Sequence, residues 1–504
     1  MEIFGALGAG FVDALSWPNI LYIFLGVVLG LILGIIPGLG GIIGLSLLLP
    51  LTFTLDIGPA LAMMVALMAV ISTSDTIPAV LIGVPGTSAA AATVVDGYPM
   101  ARQGRAAEAL GAAFFSSAVG GVFGALVLTL SIPILRPVVL LFGAPEVFLL
   151  SMIGIATVGM LGGNDPLRGW AAGGLGVTVA MVGRDPVHAT PRFTFGDPIL
   201  MDGIPIIALA YGLFALPELI GLSRTGASIS EVKLPDNLWA AQMRGMKMAM
   251  QHWWLVIRCS AIGTWIGFVP GLGGSVADWI AYSHAQMSIK DSQNFGKGDV
   301  RGVIAPEAAN NSCKGGELIP TLAFGVPGSI TMAFVFSALL IAGITPGKTM
   351  LNERLDLTML MVWALVIANI MGTAICLGLT RYLAKLTAVP GFRIVAVITP
   401  VILISTYAFE GVMEHMIMLI VIGIFGCFMK EFGWPRPPVL VGFVLGSIVE
   451  ENLVNSVRMF GYEFLFRPAS AVLFIFLLGM FAYGILAPMR GNRLAASDLL
   501  SSSQ

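Results

Sequence analysis

Five stretches of the chain, residues 19–36, 110–135, 358–380, 413–429 and 469–488, are almost purely apolar, and each approaches the ~20 residues a helix needs to cross a hydrocarbon core. No other feature constrains folding so tightly. In a bilayer every backbone N–H and C=O must find its partner inside the protein, so such segments are helices. Shorter apolar runs lie between them, giving roughly 12 to 14 spanning or half-spanning segments. Composition agrees. Charged residues make up 11% of the chain, against about 25% in a typical soluble domain. The hydrophobic fraction is 57% and the mean hydropathy +0.93, more apolar surface than 504 residues can hide from water. The chain reads as an all-α polytopic membrane protein. Its longest polar stretch, residues 223–250, is too short for a soluble domain and reads as a connecting loop.

A net charge of −2 supplies no global basic field for nucleic acid. The four cysteines (259, 313, 376, 427) lie 51 to 63 residues apart, with no Cys/His cluster, and read as small apolar filling. No Lys or Arg precedes the first apolar run, so the opening segment lacks the charged start of a cleavable signal peptide and is expected to stay in the membrane.

The apolar runs are interrupted by a phrase written twice. "GIIPGLGG" occupies residues 34–41 and "GFVPGLGG" residues 267–274, an offset of 233. A second pair, "IPAVLIGVPG" (77–86) and "IPTLAFGVPG" (319–328), follows at an offset of 242, and Pro145 can be set against Pro390 at 245. The polar stretch 290–301 has no counterpart in the first half and accounts for the nine-residue growth. Two motifs in one order at nearly one offset indicate duplication. The resulting organisation is a first half at 1–222 (core 19–165), a cytoplasmic connecting loop at 223–251 and a second half at 252–412. Additional transmembrane helices follow at 413–490, with a polar cytoplasmic tail at 491–504.

Charge bias orients the halves. The approach to the first copy carries no basic residue, whereas the approach to the second carries Arg224, Lys233, Arg244 and Lys247. Cytoplasmic loops collect positive charge, so the copies are expected to begin on opposite sides of the membrane, as inverted repeats. Arg490 and Arg493 place the C-terminus in the cytoplasm, giving an odd number of spans. Arg102 and Arg105 in one half face Lys348 and Arg354 in the other and do not discriminate.

Pro removes a backbone donor and clashes with the preceding turn, while Gly tolerates positive φ, so PGLGG unwinds the chain into a broken or re-entrant helix. Unwound backbone survives at membrane depth only where it is buried in protein or lines a water-filled cavity. Matching breaks in two halves point to a transporter's site. The restarting chain offers unpaired amides and a positive dipole end to an anion. The competing explanation, close helix packing on glycine, accounts for either copy alone but less well for proline in both. A Walker-type phosphate loop requires GK[ST], whereas Gly41 precedes Ile42 and Gly274 precedes Ser275.

Polar residues cluster beside the breaks. "STSD" (72–75) precedes the first GVPG and "PEAANNSCKGGELIP" (306–320) the second. The candidate substrate-binding set is Pro37, Gly38, Gly40, Gly41, Thr87, Ser88, Pro270, Gly271, Gly273, Gly274, Ser275, Lys314 and Ser329. The candidate cation-binding set is Ser72, Thr73, Ser74, Asp75, Asn310 and Asn311, oxygen donors suited to a hard cation such as Na⁺. Lys314 faces a carboxylate or is a loop lysine that snorkels. Asp75 is a cation ligand or a helix-terminal cap.

PGLGG at 37–41 and 270–274, "IPAVLIGVPGTSAAAATVVDGYPMARQGRAAEALG" at 77–111 and "PEAANNSCKGGELIPTLAFGVPGS" at 306–329 resemble the large membrane subunit of the tripartite tricarboxylate transporters, the TctA-type family. The resemblance extends to about residue 450, and "ISTSDT" stands where YGGS-like residues are expected. It implies a secondary transporter in the bacterial inner membrane, importing carboxylates such as tricarboxylates. The implied partners are a periplasmic substrate-binding protein and a small four-helix membrane subunit, and the drive is a cation gradient. Na⁺ or H⁺ is the coupling ion, and no cofactor, other metal, nucleic acid or catalytic residue is expected. Two rival classes are an intramembrane hydrolase and a channel or non-transporting scaffold. The hydrolase fares poorly: Ser275 and His284 are the nearest pair, and nine residues along a helix place them on opposite faces.

Overall fold

The computed structural model describes all residues except 1, 37–39, 50, 52–54, 162–164, 225–233, 388 and 502–504. The all-α expectation holds: among the described residues the strands amount to Gly183–Arg184 paired antiparallel with Pro191–Arg192. Among the described residues seven helices are long and apolar enough to cross a membrane, or eight if Gly5–Leu15 and Asn19–Ile35, bent by 71°, form one span. The sequence count of spanning and half-spanning segments is larger for a physical reason. Gly40–Leu48 is only 9 residues long, and Arg301–Phe324, though 24 residues long, carries Glu307, Lys314 and Glu317.

The chain falls into two compact units, one formed by Met1–Val139 with Ile207–Phe425 and the other by Leu140–Ile206 with Gly426–Gln504. This division cuts across the sequence halves, since the first unit draws on both.

Within the first unit the duplication is written in the backbone. Asn19–Ile35 ends on Ile36, extended at φ −89°, ψ 111°, and Trp253–Phe268 ends on its counterpart Val269 at φ −84°, ψ 112°. The helices that follow start at Gly40–Leu48 and Gly273–Ser288, where Gly40 and Gly273 both have positive φ (54° and 62°). Thr76–Ile82 ends on Gly83 and Arg301–Phe324 on Gly325, both left-handed at φ 69° and 66°. Only glycine reaches that region without strain.

Glycine also decides the packing. Gly30 presses on Leu67 and Gly34 on Ile71 of the Ile57–Ser74 helix; Gly263 presses on Ala309 and Gly267 on Cys313 of Arg301–Phe324. These contacts repeat at offsets of 233 on one side and 242 on the other; a Cβ would collide with backbone at Gly30, Gly263 and Gly267, and with the Ser74 hydroxyl at Gly34. Close backbone approach of this kind is how helices associate in membranes.

The halves interlock. Glu2–Leu15 packs on Leu355–Leu386, where Trp363 Nε1 donates to Leu7 O at 2.8 Å. Leu238–Gln251 packs in the same way on Ala106–Val139, with Gly111 against Gln242 and Gly245 against Glu108. The stretch 223–251 is therefore not simply a loop. Asn237 caps this helix by accepting from Ala240 N, and one glycine lets its apolar side seat closely. Arg244 on its polar side reaches Glu108 at 2.9 Å. The extra segment before Arg301 is pinned by its own charge pair. Burial alone would raise the Asp299 carboxyl, but hydrogen bonds from Arg301 outweigh it and hold the group below its ordinary value.

In the second unit, Ala144–Leu161 and Pro166–Ala180 meet through Gly159 and Gly169, and Pro437–Phe460 meets Pro166–Ala180 at Gly176. The last helix runs over Pro468–Ser501, so the segment expected as a polar tail continues a helix. Arg192 grips Glu450 through two bonds of 2.6 and 2.8 Å. All four cysteines are free.

Candidate functional site

Each GVPG loop of the first unit folds back on an acid in the helix that precedes it. In the first half the acid is Asp75, at the joint between Ile57–Ser74 and Thr76–Ile82, and Thr87 Oγ1 donates to its Oδ2 at 2.5 Å. In the second half it is Glu317, within Arg301–Phe324, and Ser329 Oγ donates to its Oε2 at 2.7 Å. The loop glycines make the fold-back possible. A Cβ on Gly86 would stand 2.8 Å from Asp75 Cα, and one on Gly328 2.7 Å from Glu317 Cα. Acid, glycine and hydroxyl all repeat at an offset of 242.

The helix breaks close over these clasps. Gly271 N donates to Gly328 O at 2.8 Å, so the second PGLGG is tied to the second GVPG loop. A Cβ on Gly274 would lie 3.1 Å from Asn310 Oδ1, 3.3 Å from Ala89 and 3.7 Å from Lys314 Nζ. Gly273 faces Glu317 Oε1 and Ser329 Cβ, each at 3.9 Å. In the first break, Gly40 faces the Thr87 methyl at 3.7 Å and Gly41 the Thr331 methyl at 3.3 Å. Thr331 is in turn 2.9 Å from Ser329. Pro37 and Gly38 lie outside the described residues. Breaks and loops from both halves thus converge on one polar region.

The remaining candidates divide. Asn311 belongs to a buried mesh: its amide donates to Thr73 at 3.2 Å, to Ser117 at 3.0 Å and to Asn369 Oδ1. Ser117 and Thr73 are themselves 3.0 Å apart. Four helices meet there, from both halves. Asn310 lies on a different bearing, reaching Ser72 O at 3.5 Å while its Oδ1 has no partner. Ser74 turns away, donating to Gly30 O at 3.1 Å, and secures a helix contact. Ser88 is exposed and begins a short turn, and Ser275 and Pro270 are half-buried in the second break. Lys314 pairs with Glu317 at 3.3 Å, its side chain 12% exposed. It is thus committed to a carboxylate of the chain itself. Asp75 ends its helix, yet its side chain caps nothing and holds Thr87 instead.

Several polar residues of this region escape the sequence reading. Glu317, Glu307 and Asp278 are buried carboxylates beside the candidate residues, and Thr93 donates to Glu307 Oε1 at 2.7 Å. Glu317 was within reach, because the offset that aligns the GVPG loops carries Asp75 onto it. Asp278 and Glu307 carry no such mark.

The family model for the tripartite tricarboxylate transporter TctA family matches residues 20–441. The chain is 31% identical over 497 residues to an Agrobacterium vitis protein described as an uncharacterized 52.8 kDa protein in the TAR-I ttuC' 3'region, covering 98% of both chains. It is 30% identical over 191 residues to a second Agrobacterium vitis protein, from the TAR-II ttuC' 3'region, covering 38% of this chain and 79% of that one. No solved structure matches.

Proposed function

The chain belongs to the tripartite tricarboxylate transporter TctA family, and from that premise we propose that it imports a carboxylate across the bacterial inner membrane, driven by a cation gradient. The family describes the large membrane subunit of a tripartite system. The partners in this reading are a small four-helix membrane subunit and a periplasmic protein that delivers the carboxylate. The observation that carries the proposal is the convergence of both helix breaks and both GVPG loops on one buried polar region. Unwound backbone there offers amides to an anion, and the carboxylates and amides beside it offer oxygen to a cation. Vesicles holding this chain alone should take up little radiolabelled tricarboxylate, and adding the small subunit with loaded binding protein should restore uptake. Full-rate uptake by the chain alone would defeat the tripartite reading.

The proposal includes halves of opposite orientation, supported by the direction of the helix contacts. Gly120 and Gly124 meet Ala308 and Ser312, so Ala106–Val139 runs parallel to Arg301–Phe324. Gly58 and Val70 meet Leu357 and Gly372, so Ile57–Ser74 runs parallel to Leu355–Leu386. Asn369 meets Gly121 while Thr373 meets Phe114, which sets those two pairs antiparallel to each other. Ile57–Ser74 therefore opposes its own counterpart, Arg301–Phe324. Single cysteines at Asp13 and Arg244, in a background without native cysteines, should label from opposite faces of the membrane. Labelling from one face would reject inversion.

A further inference from the structure

Three buried carboxylates from three helices lie within electrostatic reach of one another in the first unit: Asp75, Asp278 and Glu307. Each has an oxygen with no hydrogen-bond partner, namely Asp75 Oδ1, Asp278 Oδ1 and Glu307 Oε2. All three side chains are at most 1% exposed. Carboxylates buried this deeply carry a large desolvation cost unless something positive meets them.

Two neutral groups stand beside these carboxylates. Asn310, 1% exposed, lies beside Asp75, and its Oδ1 lacks a partner. Thr76, fully buried, lies beside Glu307, and its Oγ1 also lacks a partner. The region therefore gathers carboxylate, amide and hydroxyl oxygens whose lone pairs the protein leaves unused. The nearby cation is engaged elsewhere. Lys314 is the cationic side chain that acts on Asp75 and Asp278, and it is bonded to the fourth carboxylate, Glu317, at 3.3 Å.

The two clasps show what is missing. Glu317 has Lys314 three residues before it on the same helical face, and the matching position before Asp75 is Ser72. The first half keeps the acid and the hydroxyl donor but has a neutral residue where the second has an ammonium. Among the described residues no three or more His, Cys, Asp and Glu side chains are grouped to hold a metal ion, so a site here rests on fewer carboxylates with neutral oxygens beside them. A hard alkali cation asks for less, since it accepts mixed oxygen ligands of low total charge.

We infer that Asp75 and Glu307, with Asn310 Oδ1 and Thr76 Oγ1 beside them, bind a Na⁺ ion. This ion holds in the first half the place that the Lys314 ammonium holds in the second. The inference rests on the cation-coupled reading above and gives that reading its site. Asp278 follows the second helix break by one turn and adds its negative field to the site from that side.

Binding is separable from transport. The full chain, purified in detergent without carboxylate or partners, is melted while NaCl replaces choline chloride at constant ionic strength. A ligand bound only by the folded state raises the melting temperature with concentration, so the wild type should show a saturating rise. Asp75→Asn and Glu307→Gln should move the half-saturating Na⁺ concentration up by about tenfold or more, the loss of one strong ligand. Thr76→Val, a milder change that keeps the shape, should move it by roughly threefold and remains informative if the carboxylate variants fail to fold. Asp356→Asn, far along the chain and exposed, should match the wild type. A wild type indifferent to Na⁺, or an unshifted response in Thr76→Val and in whichever carboxylate variants fold, overturns the site. A Na⁺ response with the expected shifts, but no uptake by the complete three-component system, would leave the site standing and remove the transport reading instead.

Discussion

Asp75 in the first half stands three residues after Ser72 and holds the Thr87 hydroxyl; Glu317 in the second stands three residues after Lys314 and holds the Ser329 hydroxyl. The backbone around them is the same, down to a left-handed glycine eight residues beyond each acid. They differ in charge. The second clasp contains its counter-ion and is electrostatically self-sufficient, while the first draws on a positive charge it does not contain. A duplicated fold has kept one architecture for both loops and divided the roles through a single position, with the closed clasp as scaffold and the open one as the place where an external charge can act.

The largest effect should come from breaking the self-sufficient clasp. Lys314→Met leaves Glu317 buried without its partner, and removing one member of a buried pair costs about 3–5 kcal/mol. Adding Glu317→Gln to that variant should recover most of the loss, because the orphaned charge goes with it. Melting curves of the two variants test this, and a double variant as unstable as the single one would show that Lys314 stabilises by packing.

A smaller effect separates the two hydroxyls. Thr87→Val should cost about 3 kcal/mol and Ser329→Ala about 1.5 kcal/mol, the two ends of the range for hydrogen bonds to charged groups. The order follows from the comparison: Glu317 keeps Lys314 when Ser329 is lost, while Asp75 has no ion pair among the described residues. High Na⁺ should narrow the gap. Melting at low and high Na⁺ reads both numbers, and equal losses at low Na⁺ would mean that the clasps are electrostatically alike.

Much of the fold is legible in the sequence because it follows from solvent and period. Apolar runs near 20 residues have few options in a bilayer, and proline with glycine cannot continue a helix. Leu238–Gln251 was harder to see. Its lysine and arginine give it the composition of a loop, and only its docking on Ala106–Val139 makes it a helix of the core. The site was legible where register carries it. The motif offset leads to Asp75, Thr87 and Ser329, and it leads to Glu317 as well once the helices are aligned through their acids rather than through their most polar strings. Asn310 and Asn311 look interchangeable as neighbours, yet a turn of about 100° per residue sends one to the mesh and the other to the break. Glu307 could not be found from local pattern at all, since the Thr93 that holds it is 214 residues away.

The interlocking of the halves also sets an order of events during synthesis. Leu7 and Trp363, which join Glu2–Leu15 to Leu355–Leu386, are separated by 356 residues. At 5–20 residues per second the ribosome needs roughly 20–70 s to deliver the second after the first. For all that interval the opening helix lacks its docking surface, and shorter delays apply to the glycine contacts between the halves, such as the 188 residues that separate Gly120 from Ala308. The first half is therefore a sequence repeat without being an independent folding unit. Its closure waits for a helix that has not yet been translated.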